Sequence, residues 1–112
     1  MSLQQQFEQL VNSKEKTELA QLEALWDQLD SVDQPFMMGE WTGGVFNTGH
    51  PGEKQLTVMK WVGKNFHSLN DVDPIVCSDD TGGRVASPVM GKASCRLVAY
   101  RGAVTATMVY DN

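Results

Sequence analysis

The spacing of apolar residues changes character at Pro35. Before it, apolar residues recur at helical intervals. Phe7, Leu10 and Val11 stand at i, i+3 and i+4, Asn12 and Ser13 interrupt, and Leu19, Leu22, Leu25, Trp26 and Leu29 resume the pattern between Glu, Gln and Asp. This predicts a helical segment over residues 1–34. Thr17 is its expected N-cap, with Glu18 well placed for the helix dipole. Pro35 is expected to end it. The Leu/Trp stripe is read as the core-facing side of an amphipathic helix, in preference to a partner-binding face.

After Pro35 the texture is that of strands between turns. Residues 37–47 and 60–66 suit strands, as do "IVCSD" at 75–79 and "RVAS" at 84–87. Residues 53–59 fit either a short helix or a strand. "NTGHPG" at 47–52, "LNDVDP" at 69–74, "DTGG" at 80–83 and residues 88–93 read as connections. "SCRLVAY" and "AVTATMVY" flank Arg101-Gly102, the two-residue loop of a predicted hairpin. That register puts Cys95, Leu97 and Ala99 on one face with Val104, Ala106, Met108 and Tyr110. Arg96, Val98, Tyr100, Thr105 and Thr107 take the other. The apolar face is expected to meet the core. The fold class is therefore α+β: an N-terminal helical segment, then a curled antiparallel sheet or incomplete small barrel.

Composition narrows the partners. The 112 residues fit a single domain, with 41% apolar and 21% charged residues and a net charge of −5. No basic cluster invites nucleic acid or an anionic membrane. The longest apolar runs are only a few residues, and "MSLQQQFEQL" lacks the pattern of a secretory signal. The chain is read as cytoplasmic, with Cys77 and Cys95 as reduced apolar fillers. No cofactor and no metal is expected. Zinc-type paired spacing is missing, and Asp71, Asp73, Asp79 and Asp80 do not match a calcium loop. Asp73-Pro74 and Asp80-Thr81-Gly82-Gly83 read as turn chemistry.

"GEWTGG", Gly39 to Gly44, resembles the motif of the GxWxG family of uncharacterised, mostly bacterial proteins. "ALWDQLDSVDQPFMMGEWTGG", "TGHP", "WVGKNF" and "DPIV" continue the likeness over the region 35–85 and its entry. From residue 86, "CRLVAYRGAVTATMVYD" resembles the start of the domain of unknown function that commonly follows it. That domain normally runs on beyond "MVYD". The resemblance thus implies a chain that is either short or a fragment, with an exposed sheet edge able to pair with a second copy as a homodimer. A looser likeness to calycins implies a Trp that closes one barrel end against a basic side chain, Arg96 or Arg101.

The expected pocket is lined by Trp41, Phe46, Trp61, Phe66, Leu97, Met108 and Tyr110, with His50 and Arg96 as polar candidates. Its ligand would be a small apolar or amphipathic molecule. Lys60 and Lys64 beside Trp61 offer an anionic head group a partner. Gly43 and Gly44 are expected to bend the first strand, and Gly39 to admit close backbone approach. The alternatives are an enzyme using His50 or His67 with a nearby carboxylate, and a structural, self-associating domain without a ligand.

Overall fold

The computed structural model describes residues 1–87 and 91–111. Of the connection read over 88–93, residues 88–90 lie outside the described residues, and Met90 with them. The first helix, α1, spans Leu3–Val11 and is closed by Ser2 and Gln5, each side chain bonding the other's backbone N–H at 3.1 and 2.9 Å. The second, α2, spans Leu19–Trp26. Its N-cap is Glu18, not Thr17. The Glu18 N–H donates to Gln21 Oε1 at 2.8 Å. Thr17 is buried, and its N–H donates to the Asn47 carbonyl at 2.6 Å, so it ties the helix entry to the loop beyond the first strand.

Pro35 begins a helix where the sequence suggested an end. It stands in the first turn of α3 (Gln34–Met37), where a missing N–H costs nothing, and Asp33 caps that turn through the Phe36 N–H at 2.9 Å. The segment read as ambiguous at 53–59 is helix α4 (Gly52–Val58).

Six strands form one antiparallel sheet: β1 (Gly39–Thr42), β2 (Trp61–Ser68), β3 (Asp71–Ser78), β4 (Arg84–Ala86), β5 (Ala93–Tyr100) and β6 (Ala103–Tyr110). The order is β1-β2-β3-β5-β6, with β4 also paired to β3. No β1–β6 pairing occurs among the described residues, so the curled sheet stays open and is no barrel. The first strand is shorter than expected over 37–47. The third is longer: Asp71–Pro74, read as part of a loop, is strand, and Leu69–Asn70 alone make the turn. Pro74 is tolerated because the β2–β3 register is irregular there, so the ladder bond it cannot donate is not required.

The final hairpin forms as predicted. Tyr100 pairs with Ala103, and Arg101 and Gly102 take positive φ values of 50° and 83°, as a type I′ loop requires. Its apolar face meets the core only in part. Phe66, Val72, Ala93 and Cys95 are buried together, with Met37, Met38, Trp41, Ala106 and Met108 packed against them. Leu97, Val104 and Tyr110, on the same face, are 53%, 59% and 54% exposed. Part of the outer edge of β6 is covered, since the Ala106 N–H donates to the Val32 carbonyl at 2.9 Å.

Candidate ligand site between the sheet edges

The sheet curls far enough that both end strands, β1 and β6, face one cavity of about 350 Å³. Trp41, Trp61, Phe66, Met37 and Met108 give it apolar walls, and Lys64 is the charged group on its lining. The volume lies at the small end of ligand sites.

Trp41 is held by its indole N–H, which donates to the Met37 carbonyl at 2.7 Å. The polar end of the ring is thus satisfied and its apolar body is left for the cavity. Two glycines set the geometry around it. A Cβ on Gly63 would stand 1.8 Å from the Trp41 carbonyl oxygen, so only glycine lets β2 approach β1 this closely. A Cβ on Gly43 would stand 2.2 Å from the Trp61 ring, which lies over it. Gly44 faces open space, and so does Gly39, whose φ of 124° is what requires glycine. The motif therefore seats the Trp61 ring at Gly43 and turns the chain from α3 into β1 at Gly39. The close approach expected at Gly39 falls at Gly63 instead.

Lys64 is the cross-strand partner of Trp41. Its ammonium donates to the Pro74 carbonyl at 3.0 Å and lies 5.7 Å from the centre of the Trp61 ring. Burial pushes its pKa below the usual lysine value. The Trp61 indole N–H is buried and has no hydrogen-bond partner among the described residues.

Arg84 bonds the backbone of Trp41, whereas Arg96 and Arg101, the residues the calycin likeness offered, bond elsewhere. Arg84 Nη2 donates to the Trp41 carbonyl at 3.2 Å and to Asn65 Oδ1 at 2.8 Å. Arg96 bonds Asn70 and the Leu69 carbonyl at the β2–β3 turn. Arg101 grips Asp27 at 2.8 Å and also pairs with Glu23, which ties the hairpin tip to α2. That pairing crosses a larger cleft of about 590 Å³ between the end of α2 and the hairpin, leaving its guanidinium already matched.

Trp41, Trp61, Phe66 and Met108 thus come together. Phe46, His50 and Tyr110 line a separate groove beside α4. Phe46 meets Phe7 edge-on at 5.3 Å, and His50 Nδ1 accepts from the Gly52 N–H at 2.9 Å. Leu97 is left exposed. His67 Nε2 lies 2.7 Å from Asp73 Oδ2, and Lys92 Nζ lies 2.5 Å from both Asp71 Oδ1 and Asp73 Oδ1. Asp73 is buried strand chemistry, not a turn residue. Donor atoms of His67, Asp71 and Asp73 fall within 4.8 Å of one another, a spacing a metal could use, and the Lys92 ammonium already pairs with both carboxylates. Cys77 and Cys95 are unbonded, and burial raises the Cys95 thiol pKa. No helix among the described residues is long and apolar enough to cross a membrane.

Fold and site define a small α+β module with an open, curled sheet and a cavity between its edges. The chain belongs to the GXWXG protein family, whose pattern matches residues 24–82. Gly39, Trp41 and Gly43 occupy the motif positions. The match carries β1 to β3 and leaves out β5 and β6, which supply Cys95, Ala106, Thr107 and Met108 to the cavity. A crystal structure of a protein from Thermomonospora curvata is similar throughout: 35% identical, TM-score 0.85, covering 99% of this chain and 75% of that one. A search of curated proteins returned no match.

Proposed function

We propose that this protein is a binding module for a small apolar or amphipathic molecule held between β1 and β6. One observation carries the reading: two tryptophans, Phe66 and two methionines from four elements line one cavity beside the core. Aromatic rings supply large apolar contact, and methionine adapts to varied shapes. The catalytic alternative keeps one feature it calls for, a carboxylate beside His67 in Asp73 at 2.7 Å, but neither His50 nor His67 lines this cavity.

Thermal unfolding with a panel of medium-chain alcohols and fatty acids tests the reading. Ligand at a hundred times its Kd stabilises by about 2.7 kcal/mol. A saturable rise in Tm is expected for the natural chain, and a smaller one for Met108→Trp, which fills the cavity. No rise with any ligand, or an equal rise in the variant, would remove the proposal.

A further inference from the structure

Resting on that reading, we propose that the ligand is an amphipathic monoanion, of the medium-chain carboxylate class, whose head group pairs with the ammonium of Lys64 while its tail lies against Trp41, Phe66 and Met108. Three observations converge. Among the described residues, Lys64 is the single charged side chain lining the cavity, and it is a cation in a chain of net charge −5. Its ammonium is also poorly served. Lys60 pairs with Asp80, and Lys92 with Asp71 and Asp73, but Lys64 has no carboxylate within ion-pair distance among the described residues. Its described hydrogen bond goes to a neutral carbonyl, that of Pro74.

A half-buried charge beside apolar walls costs free energy unless it is paired. An entering carboxylate supplies the missing counter-charge and leaves the Pro74 bond intact, because an ammonium has three donors. The Trp61 ring lines the same cavity, while its N–H is buried behind that lining with no acceptor among the described residues and is given no part in holding the head group. One cation favours a head group of one charge. A phosphate monoester, near −2 at neutral pH, would bring a charge that the lining does not match.

The test compares decanoate, decanol and decyl phosphate by isothermal titration on the natural chain and on Lys64→Met, which keeps the stem and removes the charge. The natural chain is expected to bind decanoate about tenfold more tightly than decanol, and more tightly than decyl phosphate. A tenfold change corresponds to about 1.4 kcal/mol. In Lys64→Met that preference should vanish while decanol binding persists. Lys64→Gln serves the same purpose if the Met variant does not fold. Equal affinity for acid and alcohol in the natural chain would overturn the anion assignment and leave the binding module standing. So would a preference that survives loss of the charge, or tightest binding of the phosphate. Failure of every probe to bind would instead overturn the module, and the assignment with it.

Discussion

Neighbouring glycines around Trp41 are held by different physics, and substitution should separate them. Gly63→Ala sets a methyl group against a backbone oxygen that cannot rotate away, so β1 must move off β2. A loss of about 2 kcal/mol or more is expected, in the range of overpacked sites. Gly44→Ala meets open space and should stay within about 0.5 kcal/mol of the natural chain. Urea unfolding midpoints check both. The motif's Trp and glycines were legible as a sequence pattern, but the assignment of close approach to Gly39 was not. The contact that demands glycine involves a strand more than twenty residues away, and no local spacing encodes that.

Asp73 is the second residue with a measurable consequence. Burial acts to raise its pKa, and hydrogen bonds from Lys92 and His67 outweigh it, leaving the carboxyl below its ordinary 3.8. A depressed folded value gives stability that is present above the ordinary carboxylate range and lost as pH falls through the folded pKa. Lys92 has the opposite sign. Hydrogen bonds to Asp71 and Asp73 raise it above its ordinary 10.5, so its contribution holds below that value and is lost at still higher pH. Asp73→Asn should therefore cost about 1–3 kcal/mol at neutral pH and flatten the acid limb of stability. Urea titrations between neutral pH and pH 3 report both. An unchanged acid limb would contradict the assignment.

At the scale of elements, the final hairpin was readable because a single turn assumption sorted both strands at once, and Arg101-Gly102 takes the positive φ pair that such a turn needs. The third strand was misread at its start because Asp and Pro usually mark turns. Here Asp73 is neutralised by partners from β2 and beside β5, and Pro74 sits where the register slips. Thr17 does not cap α2: its backbone N–H is tied to the Asn47 carbonyl, and its buried Oγ1 has no hydrogen-bond partner among the described residues. The elements also differ in how firmly they are held. Helix α1 buries no residue, whereas β3 carries five consecutive buried positions, Val72 to Val76. Hydrogen exchange should find α1 amides opening near the low end of the stability range and those of central β3 near the global value. Equal protection in the two would contradict this packing.

For the whole molecule, an α+β chain with helices first and an antiparallel sheet after Pro35 followed from helical spacing before that residue and from turn signals and strand-type composition after it, with only α4 left open. Part of the expected pocket also followed. Trp41, Trp61, Phe66 and Met108 converge, while Phe46 and Tyr110 are drawn to a groove beside α4, and Leu97, on the same face as Cys95, is left exposed. Alternation along a strand gives the face of a residue but not how far the sheet curls, and the curl decides which ends of β5 and β6 reach the core. Arg84 escaped notice because three residues in a short strand carry little pattern, yet it braces the Trp41 carbonyl.

Methionine methyl resonances give the most direct test of the cavity between β1 and β6. Met37 and Met108 line it, Met59 lines the groove beside α4, and Met1 lies at the exposed terminus. Titration with decanol should shift Met37 and Met108 together and saturably, leaving Met1 and Met59 in place. Shifts confined to Met59, or no saturable shift at Met37 and Met108, would contradict the assignment of this cavity as the binding site.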